Sequence, residues 1–281
     1  MGRAFYSDSG RCEVWRLIPD VVRYRGLLFD LVWKDLRARY RNAMMGFLWA
    51  VLQPLLLTVI LTFVFVYIFP VRFDGNSAYP SLLLCGLIPW QFLATGLLSG
   101  TNSLLDNQNL IKKVYFPREL IPIAAVLNGL VNLVIGFVLV AMVQIVLGGS
   151  VGLAVFWVPF IIAIQLALVC GLALIFSCLQ VHFRDVMYLV EAALVFGFYA
   201  SPVIYPLSPN VVARLAAHPI VHTLYMMNPM AGLITAYRQA ILENRFPDPR
   251  FWMWPAAVSA AVLVLGAVAF RRASPTLADY V

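Results

Sequence analysis

Charged residues come in bursts along this chain, and the stretches between them are long and apolar. No charge occurs from Asn42 to Val71, from Gly75 to Leu105, or from Leu120 to Phe183. A helix needs about 20 mostly apolar residues to cross the ~30 Å hydrocarbon core of a bilayer. The pattern predicts spans at about 46–69 and 79–103. The longest run holds two more, at about 120–147 and 153–180, parted by the turn Gly148-Gly149-Ser150-Val151-Gly152. Two further spans are expected at about 186–204 and 251–270. The run from Leu215 to Tyr237 is also uncharged, but His218, Pro219, His222, Asn228 and Pro229 interrupt it. Broken backbone at membrane depth survives only against protein or water. Short helices at the outer face, or a re-entrant hairpin, are expected there. The fold class is thus an all-α integral membrane protein. A segment 1–45 carries an amphipathic interfacial helix, 46–270 form a six-span transmembrane domain, and 271–281 form a tail.

Composition supports the membrane reading. Apolar residues make up 62% of the 281 and charged residues 12%; soluble domains hold roughly 45–50% and 25%. A soluble enzyme could not bury this much apolar surface in one core. The net charge is +7, from 20 basic and 13 acidic residues. Fifteen of the basic residues fall before the first span, between spans two and three, between four and five, or after the last. The other five are Arg72, Arg214, Arg238, Arg245 and Arg250. The positive-inside rule then puts both termini in the cytoplasm. Tyr79, Trp157, Tyr205, Trp252 and Trp254 fall near the outer interface. The basic excess points to anionic lipid headgroups and not to nucleic acid.

Lysine occurs only at Lys34, Lys112 and Lys113, and none follows a glycine. A phosphate-binding Walker loop needs Gly-Lys-Ser/Thr, so any ATP would be hydrolysed by a separate subunit. Cys12, Cys85, Cys170 and Cys178 have no metal spacing. His218 and His222 flank Pro219 without a third ligand. No nucleophile elbow and no H-E-x-x-H motif is present. His182, Asp185 and Glu191 are the one cluster that a membrane enzyme would have to use.

Three segments carry functional expectations. From Leu27 to Ala43, Asp30, Lys34, Arg37 and Arg41 fall within an arc of about 60° at helical spacing. Phe29, Val32, Trp33, Leu36 and Tyr40 cluster opposite, and Asp30–Lys34 is a favourable i,i+4 pair. This is a membrane anchor, or a receptor in which Lys34, Arg37 and Arg41 hold an anionic headgroup. Between spans two and three, Leu110, Ile111, Val114, Tyr115 and Phe116 accompany Lys112 and Lys113, and Pro117 and Arg118 follow. Apolar residues beside lysines read as a short docking helix ended by proline, not as a solvated loop. On the outer side, Asn228-Pro229 reads as an N-cap with proline at the first helical position. Met230, Leu233, Ile234, Tyr237 and Ile241 then form an apolar stripe, with Arg238, Gln239 and Glu243 off it. Within the spans, Asn128, Asn132, Gln144, Gln53, Gln91 and Gln165 read as interhelical hydrogen-bonding residues. Glu191 is an intramembrane carboxylate, paired or functional. Gly96-Leu-Leu-Ser-Gly100 matches a small-xxx-small packing pattern.

Taken in order, Trp33-Lys-Asp-Leu-Arg-Ala-Arg-Tyr-Arg41, Gly46-Phe-Leu-Trp49, Gln53-Pro54, Gly86-Leu-Ile-Pro-Trp90, Asn109 to Arg118, His182-Phe-Arg-Asp185, Ser201-Pro-Val-Ile-Tyr205, Asn228-Pro-Met230 and Ala236-Tyr-Arg238 form an ordered set. With these motifs the chain resembles the membrane permease subunits of type-2 ABC exporters, in their polysaccharide, O-antigen and teichoic-acid branch. The resemblance implies two copies of a six-span subunit joined to two ABC ATPase subunits, in a bacterial cytoplasmic (inner) membrane. It implies export of a glycan linked to a polyprenyl diphosphate, with teichoic-acid or capsule polymer, or a small molecule or drug, as the alternative cargo. ATP and magnesium would sit on the partner ATPase, and this chain would bind no cofactor and catalyse no reaction. The elbow helix and Leu110, Ile111, Lys112, Lys113, Tyr115, Phe116, Pro117 and Arg118 would contact the ATPases. Trp90, Phe92, Tyr199, Tyr205 and Tyr225 are the aromatic residues that would stack on sugar rings in the channel.

Overall fold

The structure, a computed structural model, describes residues 19, 22–40, 46–68, 78–113, 116–207 and 217–280. Among them there is no β-strand. Helix α1 is Arg25–Tyr40, and α2 is Gly46–Thr62, prolonged by a π-helical stretch over Phe63–Ile68. Then come α3, Tyr79–Asp106; α4, Gln108–Lys113; and α5, Leu120–Val146. A 3₁₀ turn at Leu153–Trp157 leads into α6, Val158–His182. Next are α7, Val186–Ala200; α8, Pro219–Met227; α9, Pro229–Ile241; and α10, Pro249–Tyr280.

Among the described residues, five stretches are long and apolar enough to cross a membrane: Val51–Ile68, Tyr79–Asp106, Leu120–Val146, Leu153–His182 and Pro249–Ser274. The helix expected at 186–204 is shorter. It has 15 residues, about 22 Å at 1.5 Å per residue. Its end has a local cause. Ser201 precedes Pro202, and the proline ring pushes the residue before it out of the helical region; Ser201 is extended, at φ −108° and ψ 153°. The turn after α5 uses Gly148 at φ +83°, a conformation that suits glycine.

Helix α3 is the hub. Helices α5 and α6 lie along it, α10 lies along α6, and α9 packs on α10, α3 and α6. The small-xxx-small pattern marks a close crossing, with Gly96 against Val169 and Gly100 against Ala173 of α6. Helices α2 and α7 sit at the edge and leave large apolar side chains uncovered, among them Val59, Ile60, Phe63, Tyr188, Val195 and Phe196.

Buried side chains at one end join distant parts of the chain. Leu31 of α1, Leu104 of α3, Phe116, Leu120 of α5, Cys178 and Val181 of α6, and Phe270 of α10 form one cluster. The same end carries Lys34, Lys112, Lys113, Arg118, Arg184, Arg271 and Arg272. At the opposite end, Trp157 stacks near Phe160, Phe246 and Trp252, with ring centroids 5.5, 6.4 and 5.9 Å away.

Candidate functional site

At the basic end, α1 packs on α5 through its own apolar face, and that face is not the expected one. Leu31 is buried and Leu27, Leu28 and Val32 are half-buried against the bundle. Phe29 and Trp33 are exposed and stack on each other at 6.2 Å. An interfacial helix has protein on one side and lipid on another, so it carries two apolar faces and the simple two-sided wheel misassigns them. The expected Asp30–Lys34 pair does not form. Lys34 Nζ instead donates to Asn107 Oδ1 at 2.8 Å and lies 3.5 Å from Asp35. Arg37 is exposed and sits over the Trp33 ring at 5.2 Å, a cation–π contact. Lys34 and Arg37 therefore have separate partners. Arg41 lies outside the described residues.

The short helix α4 follows at once. Lys112 and Lys113 are exposed at its end, while Leu110 and Ile111 are half-buried against the basic-end cluster. Tyr115 lies outside the described residues. Phe116 is 8% exposed and belongs to the protein's own core, so its ring is not offered to a partner. Beyond Pro117, Arg118 Nη1 donates to the Ser274 carbonyl at 2.9 Å. Glu119, buried, pairs with Arg271 at 3.2 Å. The segment after α4 is thus fastened twice to the end of α10. Behind α1, a cavity of about 270 Å³ opens between α1, α3 and α5, lined by Lys34, Asp35, Thr95, Ser99, Asp106 and Asn128 among others.

At the end opposite the basic one, Asn228 caps α9 as the sequence predicts, accepting from Met230 N at 3.0 Å. Its amide donates to Ser201 Oγ at 2.8 Å. The stripe Met230, Leu233, Ile234, Tyr237 and Ile241 is buried, but so are Arg238 and Gln239, which the wheel places off it. Arg238 is 5% exposed. Its Nη1 donates to the Tyr205 carbonyl at 2.9 Å, and Nη2 donates to the carbonyls of Val203 at 2.8 Å and Leu82 at 3.2 Å. Burial pulls the guanidinium down to about 10, so it stays charged at neutral pH. Gly86 makes room for this: a Cβ there would lie 2.9 Å from Arg238 Nη2 and collide with the Val203 carbonyl. Pattern reading places Arg238 off the stripe without a buried role, and it gives Glu119 no role. For Arg238 the available signal is an ionisable group in a mostly apolar helix; Glu119 stands just before α5, beside Arg118, and gives none.

The five candidate aromatic residues divide. Trp90 and Phe92 are buried, Trp90 edge-on to Phe198 at 5.9 Å. Tyr199 is 65% exposed. Tyr205 is half-buried and its hydroxyl donates to the Tyr199 carbonyl at 3.4 Å. Burial, with Tyr205 beside it, raises the Tyr225 phenol above its usual range. Tyr199, Tyr205 and Tyr225 therefore meet where α7 ends, while Trp90 and Phe92 face the core. Gln165 joins two elements of that core, donating to the Pro89 carbonyl at 2.7 Å and accepting from the Tyr237 hydroxyl at 3.0 Å. Among the described residues no three His, Cys, Asp or Glu side chains converge as metal ligands.

Comparison with known proteins bears on all of these elements. The family model "ABC-2 type transporter" matches residues 27–242, from α1 through α9. The chain is 35% identical over 253 residues to the O-antigen export system permease protein RfbA of Myxococcus xanthus, covering 88% of this chain and 92% of that one. It is 30% identical over 224 residues to the protein of the same name from Klebsiella pneumoniae, covering 78% and 83%. It is 23% identical over 245 residues to the polysialic acid transport protein KpsM of Escherichia coli, covering 85% and 90%. With a family match that runs from α1 through α9, and relatives aligned over most of their length, this chain belongs to the ABC-2 type transporter family of membrane permeases.

Proposed function

We propose that this chain is the membrane subunit of an ATP-driven exporter of an O-antigen-type polysaccharide, carried on a polyprenyl diphosphate across the bacterial inner membrane. The observation that carries the reading is the 35% identity over 253 residues to an O-antigen export permease. Three lysines, none after a glycine, support a separate ATPase that brings its own ATP and magnesium. The clustering of basic residues at one end supports a cytoplasmic placement of that end and of both termini. Six passes follow when α7 and the broken segment after Ser201 complete one crossing together. The exposed lysines of α4 and its half-buried Leu110 and Ile111 suit docking to the ATPase. Arg37, exposed on the elbow, and Arg41 are the candidates for the cargo's headgroup; two of the three Lys34 protons are already engaged by Asn107 and Asp35. The outer tyrosines Tyr199, Tyr205 and Tyr225 suit sugar stacking. Two copies of the chain would enclose the path. The KpsM match favours a capsule-type polymer as the second reading.

The test is deletion of the gene and complementation. Loss of surface polysaccharide, with the lipid-linked polymer trapped on the cytoplasmic leaflet, is expected. The composition of the trapped polymer separates O-antigen from capsule. Complementation by Lys112→Glu/Lys113→Glu should fail, and that protein should no longer co-purify with its ATPase. Unchanged surface polymer in the deletion strain would refute the export reading.

A further inference from the structure

The cavity behind the elbow helix has a hydrogen-bonding character that its lining residues alone do not reveal. Polar groups at this depth persist only where they meet each other, water or a polar ligand. Several of their donors are already engaged. Thr95 Oγ1 donates to the Gln91 carbonyl at 2.8 Å, and Ser103 Oγ donates to the Gly100 carbonyl at 2.7 Å. The Asn107 amide donates to the Ser103 carbonyl at 2.9 Å, and its oxygen accepts from Lys34. The Asn128 amide is turned to Asp35 at 3.4 Å, and the Asn102 amide is on Asp106 at 2.8 Å. The charged groups lining the space are the Asp35 and Asp106 carboxylates and the Lys34 ammonium, beside hydroxyl and amide groups that can both donate and accept. Two carboxylates against one ammonium leave the walls with a net negative charge.

Such a space repels a phosphate and suits a compact cation that brings several N–H donors. Lys34 stands at its rim with a side chain 55% exposed. Of its three protons, one is on Asn107 and one faces Asp35. The third is left for an anion outside. A primary ammonium joined by a short linker to a phosphate satisfies both halves. Beside it, α1 presents the exposed, stacked rings of Phe29 and Trp33, an apolar face that suits acyl chains. We propose that this cavity holds the ethanolamine phosphate headgroup of a membrane phospholipid, its ammonium on Asp35 and Asp106 and its phosphate on Lys34. The bound headgroup ties α1 to the junction of α3 and α4, beside the exposed lysines of α4. This inference concerns a resident lipid and not cargo, so it stands or falls apart from the export reading.

The experiment compares lipids that share acyl chains, on the full-length chain purified in detergent. Native mass spectrometry and thermal unfolding are read with dioleoyl phosphatidylethanolamine, phosphatidylcholine and phosphatidylglycerol. The choline headgroup keeps the positive charge and loses every N–H donor, so it isolates the ammonium hydrogen bonds. Retention of the ethanolamine lipid about tenfold above the choline lipid is expected, the worth of one charge-assisted hydrogen bond. The preference should vanish in Asp35→Asn and in Asp106→Asn. Equal retention of the two, or preference for the anionic glycerol lipid, would overturn the proposal. So would an undiminished preference in both variants, which would locate the lipid elsewhere. Soluble phosphoethanolamine is the remaining arm. Stabilisation by it at millimolar concentration equal to that by the lipid would assign the cavity to a free metabolite and overturn the lipid source. The wild-type comparison needs no variant, so a variant that fails to fold does not remove the test.

Discussion

Arg238 shows how one residue organises the end of the bundle opposite the basic one. It lies in a helix whose other inward residues are apolar, and its three carbonyl acceptors belong to α3 and to the segment after α7. That segment has lost its helix at Ser201-Pro202, so its carbonyls have no helical donors. The guanidinium supplies them, which is why a buried cation is tolerated. Arg238→Met should lower stability by about 2–4 kcal/mol, because several buried acceptors lose a charged donor at once. Arg238→Lys should recover part of this, since one ammonium cannot span the planar fork. Thermal unfolding in detergent checks both; an Arg238→Met protein as stable as wild type would mean that the desolvation cost of the charge cancels its bonds. The sequence makes the neighbouring Asn228 cap legible because its bond closes over two residues. Arg238 is hidden because its acceptors lie 33, 35 and 156 residues away. The same distance rule explains Lys34. Its nearest acid at helical spacing is Asp30, but tertiary packing offers Asn107, 73 residues on.

Among the elements, long charge-free runs made the helices legible, because burying a charge in hydrocarbon is costly enough to leave a clear blank in the sequence. What the blanks do not encode is how the ends are fastened. Residues 271–281 read as a tail, yet α10 continues to Tyr280 and Arg271 reaches Glu119. That bond, with Arg118 to the Ser274 carbonyl, makes the end of α10 and the start of α5 move as one piece beside α4. Helix α10 in turn lies along α6. A displacement of α4 therefore has a direct mechanical route into the centre of the bundle. Both partners are mostly buried, with side chains 15% and 9% exposed. Glu119→Arg and Arg271→Glu should each cost about 3–5 kcal/mol, as expected when one half of a buried pair is lost. The double exchange should restore most of it. Thermal unfolding, together with ATPase stimulation by cargo in the assembled complex, measures the coupling. If each single change stays within about 0.5 kcal/mol, the pair behaves as an ordinary surface contact and this route loses its support.

For the molecule as a whole, the informative feature is the face that one copy leaves uncovered. Helix α7 carries Tyr188, Glu191, Val195 and Tyr199 on its exposed side. Val195 and Phe196 alone would suit lipid. Glu191 does not, because it lies about 8 Å into the helix from Val186 by helical rise. Helix α7 is also short, and the backbone at 201–207 is non-helical, which at membrane depth would need protein or water beside it. Both observations suit protein or water against α7, and the proposed second copy is one way to supply it. The alternatives differ in sign for one substitution. A carboxylate facing hydrocarbon costs about 3 kcal/mol, so if α7 faces lipid, Glu191→Leu should stabilise the protein and leave export intact. If α7 borders a second copy or a polar path, the same change should lower export at equal protein level without raising the unfolding temperature. Surface polysaccharide and thermal unfolding, measured together on Glu191→Leu, separate the two cases. The expected result is reduced export with no gain in stability.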